Sequence, residues 1–112
     1  MNMDLEARIA AIREKFLNTL EVRLAEVEAV RADLSVPQSM ANATRDMRFV
    51  SHKLRGVAST LGFERLGELA EAAELQAEAV MDSGPDAASL PALSGSLEDL
   101  RGEIRAIMQA RA

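Results

Sequence analysis

His52 is the only histidine in the chain of 112 residues, and its neighbours suggest a chemistry for it. If residues 40–61 form a helix, a turn of about 100° per residue gathers five apolar residues on one side, namely Met47, Val50, Leu54, Val57 and Leu61. His52 then lies on the opposite side and faces water. The same face carries basic and small residues: Arg45, Arg48, Arg55, Gly56 and Ser59. An exposed imidazole among guanidinium groups is suited to chemistry with an anion.

Apolar residues spaced by threes and fours predict four helices, over residues 4–33, 40–61, 63–81 and 89–110. Pro37 separates the first helix from the second, because proline disfavours a helical conformation in the residue before it. Ser39 is then the expected N-cap of the second helix. Gly62 ends that helix, and a loop over residues 82–86 separates the last two. No segment alternates with period two, so no strand is expected. Because short connections make neighbouring helices antiparallel, the sequence predicts an all-α, antiparallel up-down-up-down four-helix bundle.

The apolar stripes also predict which residues face the core. In the first helix the stripe comprises Leu5, Ile9, Ile12, Phe16, Leu20, Leu24, Val27 and Val30. In the third helix it comprises Phe63, Leu66, Leu69, Ala70, Ala73, Ala77, Val80 and Met81. In the fourth helix it comprises Leu90, Leu93, Leu97, Leu100, Ile104 and Ile107. The first helix, about 45 Å long at 1.5 Å per residue, is long enough to overhang the bundle or to kink.

Size and composition narrow the class of protein. A chain of this length is expected to form one domain spanning residues 1–112. It has no cysteine, which excludes disulfides and thiolate metal sites and agrees with a reducing cytoplasm. The first twelve residues include Asp4, Glu6 and Arg8, which argues against a signal peptide or membrane span and favours a cytoplasmic protein without membrane contact. The net charge of −5 argues against nucleic-acid binding.

The residues around His52 resemble a known family. Residues 52–56 read His-Lys-Leu-Arg-Gly, residues 57–59 read Val-Ala-Ser, Gly62 ends the helix, and a leucine-rich helix with Leu66 and Leu69 follows. This pattern is similar to that of the histidine-containing phosphotransfer (HPt) domains of two-component relays, and the four-helix layout extends the likeness over the whole chain. The resemblance implies that His52 accepts a phosphoryl group from a receiver-domain aspartate, or from a sensor kinase, and passes it to a response regulator.

The resemblance also implies roles for the neighbours of His52. A neutral imidazole is nucleophilic near neutral pH, and the transferring phosphoryl group spreads negative charge over its oxygens. Arg55, where the family more often has lysine, would donate to those oxygens, with Lys53 and Arg48 as further phosphate-stabilising candidates. The surface on which the partner docks would include Gly56, Phe49, Ser59 and Leu75. The chain would act as a monomer. It would need no metal or cofactor of its own, since Mg²⁺ would belong to the partner receiver domain. It would not be an enzyme, since it has no nucleotide-binding region.

One position departs from the family pattern. Many members have glutamine 22 residues after the histidine, on the next helix, whereas this chain has Glu74 there and Gln76 two positions on. A carboxylate near the transferred group would repel it, unless the side chain turns away or pairs with Arg48 or Arg55. The sequence leaves the role of Glu74 open.

Two other functions compete with this interpretation. The phosphoacceptor and dimerisation bundle of a sensor kinase has a motif resembling Ser-His-Glu-Leu-Arg-Thr-Pro, which Ser51 to Arg55 partly match. In this chain, however, Lys53 replaces the acidic residue, and Gly56 and Val57 replace the Thr-Pro pair. A non-catalytic helical adaptor would explain the apolar stripes but would leave the basic face around His52 without a purpose. Dimerisation would favour the first alternative.

Overall fold

The computed structural model describes residues 2–111, with side chains from residue 4 onward, and every regular element in this range is helical. Helix α1 spans Asn2–Leu34, and a short 3-10 turn follows at Pro37–Ser39. Helix α2 spans Met40–Ala58, α3 spans Glu64–Ser83, and α4 spans Ser89–Arg111. The predicted all-α class with four helices is confirmed for this part of the chain. Ser39 occupies the N-cap position of α2 as predicted, but its side chain makes no capping hydrogen bond.

The end of α2 differs from the prediction because a four-residue turn follows Ala58. Gly62 adopts a φ of 90°, a conformation that glycine reaches without steric strain. The amide of Phe63 donates to the carbonyl of Ala58 at 2.8 Å, and the amide of Gly62 donates to that of Ser59 at 3.1 Å. This pair of bonds is a Schellman motif, which satisfies the last carbonyls of the helix and lets α3 begin at Glu64.

Helix α1 holds this turn in place. The Arg13 guanidinium donates to the carbonyl of Leu61 at 3.2 Å and lies 4.5 Å from the centre of the Phe63 ring. Phe16 packs on the same ring, with 5.5 Å between the ring centres. The junction between α2 and α3 is therefore fixed both by its own backbone bonds and by the amino-terminal half of α1.

All four helices contribute to one aliphatic core. Helix α1 packs against α2 and α4, and α3 packs against the same two helices. The largest side chains that are almost fully buried are Leu20, Val27, Leu34, Met47, Leu54, Leu66, Leu93, Leu97, Leu100 and Ile104. A helix that buries one stripe and exposes the other face gains most of its stability from such packing. The core therefore fixes the rotation of each helix and decides which residues point outward.

Six residues predicted to face the core are instead exposed, and their positions explain why. Leu5 and Ile9 lie in the first turns of α1, and Ile12 lies beside the open groove between α1 and α2. Val57, Met81 and Leu90 lie close to the ends of α2, α3 and α4. Helical periodicity identifies the apolar face of a helix, but a residue on that face is buried only where a neighbouring helix covers it.

Candidate functional site

His52 stands on the outer face of α2, and 69% of its side chain is exposed. Met47, Val50 and Leu54 are buried on the opposite face, which confirms the predicted orientation of the helix. The other residues predicted to share the histidine face are also exposed: Arg45, Arg48, Arg55, Gly56 and Ser59. Because the core fixes the rotation of α2, the imidazole is presented to solvent by the scaffold and not by a mobile loop.

Glu74, on α3, joins His52 to Arg55. One carboxylate oxygen, Oε2, lies 2.7 Å from Nδ1 of His52, and the other, Oε1, lies 2.7 Å from Nη1 of Arg55. Glu74 itself is only 3% exposed, although both of its partners reach solvent. Of the two arrangements that would avoid repulsion of a phosphoryl group, the structure therefore shows pairing, with Arg55. The contact with His52 was not foreseen from the sequence.

The charge state of Glu74 follows from this geometry. Burial raises the pKa of Glu74, but hydrogen bonds from Arg55 and His52 and the positive charges of both partners outweigh burial and leave its pKa below the ordinary value. The same bond raises the pKa of Arg55, with smaller contributions from Glu71 and Glu78. Glu74 is thus an ionised, buried carboxylate at neutral pH, stabilised by two donors.

An ionised Glu74 determines which nitrogen of His52 is free. A carboxylate can only accept a hydrogen bond, so the ring nitrogen that faces it, Nδ1, must carry a proton. In the neutral ring the other nitrogen, Nε2, then keeps its lone pair. The imidazole is also held in one orientation by a bond to a residue that is itself anchored in the core. The site therefore presents one nucleophilic atom, Nε2, in a fixed direction.

The other two predicted phosphate-binding residues lie outside this network. The Lys53 ammonium is 3.8 Å from Oε2 of Glu26 on α1 and 4.4 Å from the centre of the Phe49 ring. On the α3 side, Nε of Arg48 is 4.0 Å from Oε2 of Glu78. The structure brings His52, Arg55 and Glu74 together, while Lys53 and Arg48 flank them on opposite sides of α2.

The residues predicted to dock a partner surround His52. A Cβ built on Gly56 meets no atom within 4 Å, so the space next to His52 is open. Phe49 and Leu75 are 61% and 57% exposed, Phe49 on the α1 side of His52 and Leu75 on α3. Ser59 is exposed, but its side chain lies against Gly67 of α3, where an added Cβ would clash with its hydroxyl oxygen.

A groove between α1 and α2 reaches the histidine from the side opposite Glu74. It is lined by Ile12, Lys15, His52, Lys53, Gly56 and Val57, among others. Ile12 and Lys15 were not singled out from the sequence as site residues. The groove depends on how α1 and α2 lie side by side, so no signal within one helix could have found these two residues.

Within the described residues, no group of three or more histidine, aspartate and glutamate side chains could hold a metal ion, and no described helix has the length and hydrophobicity of a membrane span.

Comparison with known proteins identifies the family. No curated protein and no solved structure shows significant similarity to the chain. The family model of the Hpt domain matches residues 11–110. Hpt domains are phosphotransfer modules of two-component systems, and they interact with receiver domains. Because this match covers most of the chain, the chain belongs to the Hpt domain family.

Proposed function

We propose that the chain is a phosphorelay intermediate in which Nε2 of His52 accepts a phosphoryl group from the phosphoaspartate of a receiver domain, or from a sensor kinase, and passes it to a response regulator. One observation carries the proposal. The buried carboxylate of Glu74 lies 2.7 Å from Nδ1, so the second ring nitrogen is left as the free nucleophile on an exposed side chain. A histidine with a purely structural role would have no need of such an arrangement.

The transfer step follows from the geometry. The Nε2 lone pair attacks phosphorus, the bond between phosphorus and the aspartate oxygen breaks, and the aspartate leaves as a carboxylate. The imidazole gains positive charge as the new P–N bond forms, while the Nδ1 proton stays in its bond to Glu74. The negative charge of Glu74 stabilises that developing charge. In the second half of the relay, an aspartate of the response regulator attacks phosphorus and His52 leaves as a neutral imidazole.

Arg55 is proposed to stabilise the phosphoryl oxygens. Only one of its N–H groups is used in the bond to Glu74, and 45% of its side chain is exposed. The remaining N–H groups of the guanidinium fork are available to the equatorial oxygens. Glu74 thus holds Arg55 next to His52 and neutralises part of its charge. Lys53 and Arg48 remain weaker candidates for the same task.

The remaining parts of the proposal concern the molecule and its surroundings. The connections between successive helices are short and each helix packs against two others, which supports an antiparallel up-down-up-down bundle and a single domain. We expect this bundle to work as a cytoplasmic monomer without autokinase activity. The Mg²⁺ that assists the reaction is expected on the partner receiver domain, and Gly56, Phe49, Ser59 and Leu75 remain the predicted docking residues.

The test is transfer of radiolabelled phosphate from a purified, phosphorylated receiver domain to the chain. We expect an acid-labile label on the wild-type chain and none on His52→Gln, because glutamine offers no nucleophilic ring nitrogen. The substituted side chain is largely exposed, so the helical circular dichroism and the melting temperature should be unchanged. Arg55→Ala should slow labelling. Arg45→Ala, which removes the same charge from the same face of α2, is the matched control and should be labelled at the wild-type rate. Undiminished labelling of His52→Gln would refute the proposal.

A further inference from the structure

A cavity of about 400 Å³ lies at the end of the α2–α3 pair that is farthest from the turn at Gly62. Its volume falls in the range of pockets that bind small molecules, roughly 300–1,000 Å³. Arg45 is the lining residue closest in sequence to His52, and it lies two turns of helix, or about 10 Å, along α2 from it. The cavity is therefore separate from the site of phosphoryl transfer. Its lining comes from the 3-10 turn, α2, α3 and the loop after α3, and it includes Pro37, Met40, Thr44, Arg45, Val80 and Met81.

Most of the cavity wall is apolar. Met40 and Val80 are half-buried and pack against the core, and Met81 is 46% exposed. Thr44 is buried, and its hydroxyl already donates to the carbonyl of Met40 at 2.7 Å. Methionine side chains are flexible and adapt to the shape of a ligand. No aromatic residue of the described chain lines the cavity, so the wall suits an aliphatic chain better than a flat ring.

Arg45 gives this apolar cavity a positive charge. Among the described residues it is the one charged side chain in the lining, and it forms no ion pair with an acidic side chain there. Its sequence neighbour Asp46 lines a different groove, between α1 and α2. Asp82 and Asp86 are close to the cavity in sequence but lie outside its lining. A guanidinium beside an apolar pocket offers several N–H donors to a carboxylate and fixes the orientation of the ligand.

We infer that this cavity binds a free aliphatic monocarboxylate, with its hydrocarbon chain against Met40 and Met81 and its carboxylate on Arg45. Exposed arginines are common on helices, but a ligand chain is removed from water only where an apolar cavity accompanies the charge. A single cation with Asp82 and Asp86 nearby favours a monoanion over a phosphate dianion, which these carboxylates repel more strongly. The inference does not depend on the proposed function, because the residues that carry it take no part in phosphoryl transfer.

The test is isothermal titration calorimetry of the full chain with octanoate, which has both the apolar chain and the carboxylate. We expect one site with a Kd on the order of 0.1 mM. Octanol has the apolar chain without the charge, and acetate has the charge without the chain. Each should therefore bind more than about tenfold more weakly than octanoate. Inorganic phosphate should not compete with octanoate.

Substitutions assign the two halves of the ligand to their residues. Arg45→Ala should weaken octanoate binding about tenfold and leave octanol binding unchanged, because it removes a charge-assisted hydrogen bond. Arg45→Lys keeps the charge and should retain most of the affinity. Met81→Gln should weaken the binding of both ligands about fivefold, because an apolar contact is lost. The matched controls are Arg105→Ala on α4 and Leu75→Gln on α3, both exposed and outside the lining, and neither should change the affinity.

Loss of saturable binding or of its dependence on Arg45 overturns the inference. This is the result if octanoate does not saturate the chain below about 2 mM, or if Arg45→Ala binds octanoate as tightly as the wild type. The inference is also overturned if the amide NMR shifts caused by octanoate lie beside His52 and not near Arg45 and Met81. Circular dichroism and urea midpoints of the variants should be unchanged, because the substituted residues are exposed. His52→Gln should bind octanoate with the wild-type affinity, so a failure of phosphoryl transfer would leave this result intact.

Discussion

Replacing Glu74 by glutamine tests the link between the buried carboxylate and the nucleophile. The two side chains have the same shape, so the packing around this residue, which is only 3% exposed, is kept. The amide is neutral, and its single oxygen can accept from His52 or from Arg55 but cannot occupy both positions that the carboxylate oxygens hold at 2.7 Å. The variant thus removes one negative charge and one charge-assisted hydrogen bond.

The expected size of the effect follows from the distances. Two unit charges 4 Å apart interact by about 4 kcal/mol at an effective dielectric constant of about 20. Only part of a unit charge develops on the imidazole in the transition state, and 69% exposure of the ring leaves it partly screened by water. About 1–2 kcal/mol of stabilisation remains, and since 1.36 kcal/mol corresponds to tenfold, Glu74→Gln should slow transfer about five- to thirtyfold.

A single-turnover assay measures this rate, with labelled receiver mixed with an excess of the chain. Glu78→Gln is the matched control, because it removes the same charge from the same helix at a residue that contacts Arg48 and not His52. The nitrogen resonances of the imidazole provide an independent readout. In the wild-type chain the neutral ring should be protonated at Nδ1, and in Glu74→Gln the population with the proton on Nε2 should grow.

Equal rates for the wild type and Glu74→Gln would refute the claim that the carboxylate stabilises the charged imidazole. Equal slowing by Glu74→Gln and Glu78→Gln would refute it as well, because the effect would then come from the overall charge of α3. A slower Glu74→Gln with an unchanged proton position would keep the electrostatic role but reject control of the tautomer.

Three further predictions concern stability and access. Gly56→Ala and Gly95→Ala should each raise the free energy of unfolding by about 0.5–1 kcal/mol, because an added Cβ at either position meets no atom within 4 Å. Only Gly56→Ala should also slow phosphoryl transfer. If the two variants transfer at the same rate, the partner does not approach closely at Gly56. Gly67→Ala should destabilise by about 1–3 kcal/mol in urea unfolding, because its Cβ would lie 3.3 Å from both Cβ and the amide nitrogen of Ser59 and closer still to the hydroxyl. The pKa of Glu74 is lowered in the folded state. The stability that Glu74 contributes is therefore complete above its unfolded-state pKa of about 4.3 and is lost as pH falls through its folded-state pKa. The urea midpoints of the wild type and of Glu74→Gln should differ at neutral pH and converge in acid.

Much of the fold could be predicted because it depends on local sequence. The buried stripe of α2 and the exposure of His52 follow from the spacing of Met47, Val50 and Leu54. Gly62 was expected to end that helix, and its positive φ is typical of a glycine in this role. Each of these features is determined by residues within a few turns of one another, and no knowledge of the neighbouring helices is needed.

The errors arose where burial depends on a distant segment. Ile12 and Val57 belong to apolar stripes, yet both are exposed, because they face the open groove between α1 and α2. The contact between the Lys53 ammonium and Glu26 was likewise not predicted, because it joins α2 to α1. Such contacts depend on how helices that are far apart in sequence are offset along their axes. Periodicity within one helix carries no information about that offset.

The partner of His52 could nevertheless have been found from the predicted hairpin. Residues at equal distances from Phe63 meet across α2 and α3: Ser59 and Gly67 lie four residues on either side of it, and His52 and Glu74 lie eleven. The pair formed by Arg48 and Glu78 lies fifteen residues on either side. The Schellman turn at Gly62 fixes this register, because it reverses the chain over a set number of residues. The contact between His52 and Glu74 is therefore the one that this register assigns to the proposed phosphoacceptor. Inserting one residue into the turn should rotate α3 by about 100° and move it by about 1.5 Å relative to α2. The insertion separates Glu74 from Nδ1 of His52 and leaves the sequence around His52 intact. Transfer at the wild-type rate after this insertion would show that the register has no part in the activity.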